Sequence, residues 1–555
     1  MQSDASRSFP IVEPFFVGGV GDEVTASSAI LRISTSDGRI AQIMIDAGAA
    51  QGDDEFRNFD YPITGSEIDA IVLTHAHYDH IGDLALLHKS GFTGNIYVTD
   101  VAKKISYPML VDAASIQEHH PGDVAKRSRK IMRETTNRIT QKRLLTKKYS
   151  DMKGLDSAIS QLEAAEYEPL YTQEDVEAVK ELLRTVKPAK YVEIIEGIKI
   201  RMLPTTHQNG AVRVEVHVKD PNGSKYGIAF SGDIGPSNSL LYEQMYDYRN
   251  EDIDCLVLES LHGVNDPVET LETSIKRLYE IIRKAKRQKK HVVLMGFSLD
   301  RNAQLIYLMN CLRKKGICID VVIDSPLTMT ELGIYQTTYA TDKHWFKDLG
   351  YDPFGTDDFK VIKSYREHVE SVLHGDAPRV IITASANGNG GRVIDYFDNC
   401  LQRDDYIFVV CGWVGPDTPS RLILECDYGK KVDLPDRTYV KRCKTYWLHG
   451  FSSHGYYPEM EAAVKDYPNA KTVILNHART EDKIAVGEKL QEFFDGEILM
   501  PEIYDAYELS ADPTVILDED SILLDFDGVI DRRIVLSEYD REFAFCEDDD
   551  ATDDD

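Results

Sequence analysis

The sequence predicts an α/β protein with a parallel-sheet core and chemistry placed at strand ends. Three observations predict it. "IDAIVLTHAHYDHIG" (68–82) joins a buried-strand run directly to three histidines and an aspartate. From 253 to about 425, apolar strand runs alternate with helical stretches, the pattern of βαβ units. Between 191 and 233, strand runs follow one another closely.

The chain has 555 residues, enough for two to four domains at roughly 150 residues each. Hydrophobic residues make up 42%, so a large core can form. No apolar leader follows Met1, and no apolar run approaches the ~20 residues that cross a bilayer. The expectation is a cytosolic protein without a membrane partner. The eight cysteines (Cys255, Cys311, Cys318, Cys400, Cys411, Cys426, Cys443, Cys546) contain no CxxC pair and are expected to be reduced and buried.

A net charge of −30 argues against bulk attraction to nucleic acid. The charge is uneven. The last nine residues hold seven acids, a solvated tail by composition. Residues 126–148 hold ten Lys/Arg against one Glu, and "RKAKRQKK" (283–290) is also basic. Each stretch reads either as a solvated helix face or as a local phosphate-binding strip.

The elements follow in order. "AILRIST" and "AQIMIDAG" are strands joined by the turn "SDGR". "IDAIVLT" is a buried strand, and "DLALLHKSG" is a helix stopped by Gly91. Residues 101–190 are charged and helical in pattern. Strands resume with "YVEIIEGIKIRMLPTTH", "VRVEVHVKD" and "YGIAFSGD". The alternating segment runs "IDCLVLES", helix 267–289, "HVVLMGF", helix 301–314, "CIDVVID", "RVIITAS", helix 391–402 and "YIFVVCG". "CKTYWLHGF", helix 457–466, "TVILNH" and helix 481–494 follow, then short strands such as "SILLDF".

The histidine cluster is the strongest chemical signal. Side chains alternate along an extended segment, so His75 and His77 can face one side. Asp79 and His80 come one turn later, near a helix start, and can face a second point. Imidazole and carboxylate donors suit zinc. Two sub-sites on one loop predict a two-metal centre with ions about 3.5–4 Å apart. A lone histidine at a strand end is usually structural; four chelating groups in HxHxDH are not.

HxHxDH-x-G at 75–82 resembles the signature of the metallo-β-lactamase fold, an αββα sandwich with metals at the open edge between its sheets. On that resemblance, His207 of "LPTTHQNG", Asp233 of "AFSGDIG" and Asp46 of "MIDAGA" are further site residues. Later segments resemble the β-CASP nuclease branch. "DCLVLESLHG" supplies Glu259 and "GFSLDRNAQLIYLM" supplies Arg301 and Gln304. "VVIDSPL" and "ITASANGNGGRVIDYF", with Ser385, also match. "GFSSHGYYPEM" supplies Ser453 and His454, and "VILNHARTE" supplies His477. "EPLYTQEDVEAV" resembles a segment of the polyadenylation-factor-like RNases. The resemblance covers about 11–505. The chain departs from the branch at "HQNGAV", at Ala478 and Arg479, at "SANGNGG" and at "GPDTPSR".

The resemblance implies an αββα metallo-β-lactamase sandwich with an inserted parallel-sheet β-CASP domain. The first part spans 1–245 with a helical insertion at about 101–190. The β-CASP domain spans 246–430 and the returning part 431–510. A small β appendix (511–545) and a disordered acidic tail (546–555) follow. Two zinc ions are implied, one on His75, His77 and His207, the other on Asp79, His80 and His477, with Asp233 bridging. Asp79, Glu259 and His454 are implied as catalytic, and Arg301, Ser385 and Ser453 as substrate contacts. The implied activity is hydrolysis of single-stranded RNA by a two-metal-activated hydroxide, endonucleolytic with 5′→3′ exonuclease activity as an addition, in a homodimer. In that branch a histidine at the last motif accompanies RNases. A DNase or dual nuclease, a small-molecule metallohydrolase and an inactive scaffold are the alternatives. The first is separated by matched RNA and DNA substrates, the second by a closed pocket, the third by missing ligands.

Overall fold

The computed structural model describes residues 9–509 apart from 53–54, 56–57, 59–62, 120–168, 318–319, 343–344, 375–377 and 435–436. The basic stretch 126–148, the expected β appendix 511–545 and the acidic tail 546–555 lie outside the described residues.

The first sheet runs β1 (Ile11–Gly18), β2 (Ser28–Ser34), β3 (Ile40–Ile45), β4 (Ala70–Val72), β5 (Asn95–Thr99) and β6 (Leu183–Val186), in that spatial order. β1 to β3 form an antiparallel meander; β3 to β6 are parallel. Parallel strands are buried on both faces, and "AIV" of β4 is fully apolar and buried accordingly.

The second sheet begins with β7 (Tyr191–Ile195), β8 (Ile198–Pro204), β9 (Val212–Lys219), β10 (Lys225–Phe230) and β11 (Cys255–Glu259). The chain then leaves for a third sheet. This contains β12 (His291–Gly296), β13 (Asp320–Asp324), β14 (Lys360–Val361), β15 (Arg379–Ala384) and β16 (Tyr406–Cys411). A small hairpin, β17 (Lys431–Asp433) with β18 (Thr438–Val440), leads to β19 (Lys444–Leu448), which pairs parallel with β16. The order is β14-β13-β15-β12-β16-β19, and each pair is parallel. "CKTYWLHGF" therefore completes the inserted sheet, although it falls in the span expected for the returning part. β20 (Thr472–Asn476) and β21 (Glu497–Leu499) then rejoin the second sheet beside β11.

The first two sheets share one core, with Ile43, Met44 and Val72 among its members from one side and Val214, Ile228 and Val257 from the other. Helices Tyr457–Lys465 and Thr480–Leu490 pack on the outer face of the second sheet through Met460, Ala463, Val486 and Leu490. Helices Leu84–Lys89, Asp100–His119 and Gln173–Leu182 belong to the first. This is the expected αββα sandwich with an inserted parallel sheet.

Local differences have local causes. Helix 267–289 is observed at Leu271–Gln288, because the Thr270 hydroxyl caps it by accepting from Thr273 N. Its basic end is a solvated face: Arg283, Lys284, Lys286 and Arg287 are exposed while Ile281, Ile282 and Ala285 are buried. β6 falls inside the span expected to be helical; Leu183 and Val186 are its only buried residues, too few for a sequence pattern. Helix Pro326–Thr341 was not anticipated, although Ser325 as cap and Pro326 in the first turn announce it. Cys311 and Cys426 are half-buried; the other four described cysteines are buried, and all six are free. Among the described residues no helix is long and apolar enough to cross a membrane.

The inserted sheet is stitched by a buried polar cluster at the end of β13. Asp324 accepts from His368 Nδ1 at 2.7 Å, Arg392 Nη1 at 2.6 Å and the Tyr396 hydroxyl at 2.6 Å. His368 Nε2 lies 2.8 Å from Asp395. Burial works against the imidazolium, but Asp324 and then Asp395 outweigh it and hold His368 above its usual range. Asp324→Ala takes the acceptor from two buried donors, His368 and Tyr396, and the partner carboxylate from half-buried Arg392, and is expected to cost roughly 3–5 kcal/mol in urea unfolding. A raised histidine stabilises fully below its unfolded value of about 6.5, and the gain is lost as pH rises through the folded value. The penalty of His368→Gln should therefore shrink on the alkaline side of 6.5.

Candidate metal centre

The site lies where strands of the two sandwich sheets end. β4 ends at Val72 and hands over to Thr74–His80; β8 hands over to His207, β10 to Asp233 and β20 to His477. Two glycines let these loops meet. A Cβ on Gly48 would lie 1.7 Å from the Asp79 carbonyl oxygen, and one on Gly235 would lie 2.1 Å from His207 N. Two site residues themselves hold left-handed backbone, Asp46 at φ +56° and His477 at φ +51°. Such strain of order 1–3 kcal/mol persists only where surrounding structure imposes it.

The ligand atoms converge on Asp233. Its Oδ2 lies 3.5 Å from His75 Nε2 and 3.4 Å from His207 Nε2. Its Oδ1 lies 3.2 Å from His80 Nε2 and 3.7 Å from His477 Nε2. His77 Nδ1 completes the first side, 3.1 Å from His75 Nε2 and 3.0 Å from His207 Nε2. Asp79 completes the second, its ligand oxygen within 4.8 Å of those of His80 and His477. A third grouping joins Asp233, Glu259, His454 and His477.

Outer partners fix which nitrogen faces inward. His207 donates Nδ1–H to the Ser453 carbonyl at 2.9 Å, leaving Nε2 as a lone pair. His80 donates Nδ1–H to Asp46 at 2.8 Å. Asp46 also accepts from Thr74 N and Oγ1, both at 2.7 Å. His477 Nδ1 bonds Ser27 Oγ at 3.0 Å, and His75 Nδ1 bonds Thr74 Oγ1 at 3.0 Å. This arrangement orients ligands and fixes tautomers at metal sites.

The donor set fits divalent cations. His80 Nε2 and Asp233 Oδ1 are buried without a hydrogen-bond partner. Burial drives His75 and His207 well below the usual histidine range and His77 down to about 4, so all three offer unprotonated nitrogen. Burial alone would raise Asp233, but His477, His80, His75 and His207 outweigh it and hold the carboxylate ionised. His80 is the exception: against burial, Asp233 and then Asp46 raise it, which favours positive charge at that position.

His454 and Glu259 stand beside this cluster. His454 Nδ1 lies 2.5 Å from Glu259 Oε1 and 3.8 Å from Asp233 Oδ2. Glu259 Oε2 accepts from Ile234 N. Burial opposes the charge on His454, yet Glu259, Asp233 and Asp79 push it up to about 9.

The sequence-derived ligands His75, His77, Asp79, His80, His207, Asp233 and His477 thus come together, with Glu259 and His454 adjoining them. The expected substrate contacts are dispersed. The Ser453 side chain lines a cleft of ≈ 330 Å³ beside His207, which Gln304 and Tyr456 also line. Arg301 is buried, bonded to Gln304 and 5.6 Å from the Phe451 ring. Ser385 is half-buried at the end of β15. Neither Arg301 nor Ser385 belongs to the cleft lining or the ligand groupings among the described residues. Ser27, Thr74, Gly48 and Gly235 escaped sequence reading. The glycine two residues after each site aspartate, in "DAG" and "DIG", was the available signal.

Three family models match the chain. Residues 35–150 match the metallo-beta-lactamase superfamily, 303–423 the Beta-Casp domain, and 438–501 the Zn-dependent metallo-hydrolase RNA specificity domain. Ribonuclease TTHA0252 of Thermus thermophilus is 23% identical over 486 residues, 85% of this chain and 94% of that protein. Transcription termination factor FttA of Cenarchaeum symbiosum is 20% identical over 508 residues, 89% of this chain and 70% of that protein. FttA of Methanococcus maripaludis is 23% identical over 438 residues, 75% of this chain and 59% of that protein.

Asp46 belongs to none of the ligand groupings among the described residues, yet it accepts from His80 Nδ1 and from Thr74. Asp46→Ala is expected to weaken metal affinity about 10–100-fold in chelator competition, with the seven candidate ligand side chains unchanged.

Proposed function

The chain belongs to the metallo-β-lactamase superfamily and carries its Beta-Casp domain, and from that premise we propose that it hydrolyses RNA phosphodiester bonds at a pair of zinc ions. The observation that carries this reading is Asp233, whose two oxygens each face a separate set of imidazoles. We assign His75, His77 and His207 to one ion, Asp79, His80 and His477 to the other, and Asp233 to both. When bound, two such ions supply charge for phosphate oxygens and lower the pKa of a water to about 7.

The protein's own groups do the rest. Asp79 orients the attacking water. Glu259 occupies His454 Nδ1, so the proton available for the leaving oxygen is on Nε2. The carboxylate that orients this imidazole also keeps it protonated at neutral pH. The mutual His454–Glu259 bond favours this acid role over metal ligation for the pair. The cleft beside His207 is lined from both sides of the insertion, by Ser237 and Tyr456 of the sandwich and by Gln304 of the inserted unit. The named ribonuclease relative and the match to an RNA specificity domain support RNA as the substrate.

Labelled single-stranded RNA and DNA of matched sequence test the reading, and cleavage of DNA alone would sink it. His77→Ala or Asp79→Ala should abolish cleavage while circular dichroism keeps the fold signal. His454→Ala should lower turnover on the order of 10²–10⁴-fold with metal content unchanged. An acid held up to about 9 works only while protonated, so turnover should fall as pH rises through that region.

A further inference from the structure

His454 is held on its Nδ1 side by Glu259, but a second contact governs its backbone. The Ser452 hydroxyl accepts from His454 N at 3.1 Å and faces the His454 carbonyl oxygen at 3.3 Å. The same hydroxyl lies 2.9 Å from His262 Nε2. A serine hydroxyl has one proton and two acceptor sites. If His262 Nε2–H donates, Ser452 can accept from His454 N and still give its own proton to the His454 carbonyl. Residue 454 is then clamped at both ends of its backbone.

His262 is itself fixed. Its ring stacks on Tyr456 with centroids 4.3 Å apart and planes 7° apart. Its turn is anchored at Ser260, whose N and Oγ both bond the Asn476 carbonyl at the end of β20. Asn265 closes the turn on the His262 carbonyl. Burial drives His262 down to about 4, which leaves a neutral ring with a single N–H.

We infer that His262 is a positioning residue, which aims the His454 imidazole through Ser452 and seats its wall of the cleft on Tyr456. This rests on the ribonuclease reading for its activity test and on geometry alone for its second readout. The clamp explains why a histidine lies at 262 with one nitrogen on a serine and one face on a tyrosine. Stacking alone needs no nitrogen, and hydrogen bonding alone needs no flat ring. Misplacement of a proton donor by about 1 Å costs on the order of 100-fold.

Two variants separate the two contacts. His262→Phe keeps a ring for Tyr456 and removes the donor. His262→Gln keeps an N–H at the same reach and removes the ring. Full-length metal-loaded protein is assayed on RNA and on bis(p-nitrophenyl) phosphate, whose leaving group needs no proton. For His262→Phe we expect kcat on RNA to fall ~10–100-fold with KM within about twofold. Turnover of the chromogenic diester and metal content should stay at wild-type levels, and His262→Gln should recover most of the loss on RNA. Independently of turnover, the low-field proton of the His454–Glu259 bond should shift or broaden in the Phe variant and return in the Gln variant. Wild-type turnover on RNA by His262→Phe, equal loss on both substrates, or loss of metal would each overturn the inference. If the wild-type protein cleaves no RNA, the ribonuclease reading fails, and the low-field proton still decides the role of His262.

Discussion

A single buried carboxylate organises this molecule. Asp233 is almost fully buried among four imidazoles, and a carboxylate in that position is expensive unless positive charge faces both oxygens. Everything that delivers those imidazoles is part of the fold. β4, β8, β10 and β20 come from two different sheets, and their ends meet only because the sheets share one core. The left-handed backbone at Asp46 and His477 and the glycines at 48 and 235 are what that meeting requires of the loops. The outer bonds from Asp46, Ser27, Thr74 and the Ser453 carbonyl then turn each ring to present its free nitrogen.

How much of this the sequence displays depends on how local each feature is. HxHxDH is local: strand alternation and one helical turn suffice to group four ligands. His207, Asp233 and His477 are not local, and only the resemblance joins them to the cluster. Ser27 is 450 residues from His477, so no spacing rule could link them. The fold class follows from alternating strands and helices, but sheet membership does not. "CKTYWLHGF" has the pattern of a buried strand, and nothing in it says that β19 pairs with β16 instead of rejoining the sandwich. β6 is unreadable for a different reason, since four residues with two buried positions make no period. The Ser325-Pro326 start of a helix is legible by contrast, since a capping hydroxyl and a proline in the first turn are local signals.

The overall charge of −30 opposes a polyanionic substrate, but the opposition is weak at working distance. Exposed charges beyond about 8–10 Å are screened at physiological salt. The field at the centre is local, and cations held on the proposed ligands would reverse its sign. Seven of the negative charges belong to the last nine residues alone. Binding that relies on a few buried cations should also depend less on salt than binding to a lysine-rich surface.

The insertion and the proton donor are one structural problem. Glu259 ends β11, the last sandwich strand before the chain departs, and His454 lies six residues after β19, where it returns. Their bond closes a loop whose ends are 195 positions apart in the sequence. Closure entropy grows only with the logarithm of length, so a long insertion costs little more than a short one once its ends are held. The ends are held by more than this pair. His262 reaches Ser452, Glu269 accepts from His449 N at 3.1 Å, and Ser274 Oγ accepts from Gly450 N at 2.9 Å. These contacts tie the segment that leaves β11 to the segment that follows β19, a few residues before His454. The short stretch 449–454 thus both joins the start of the inserted unit to its return and carries His454.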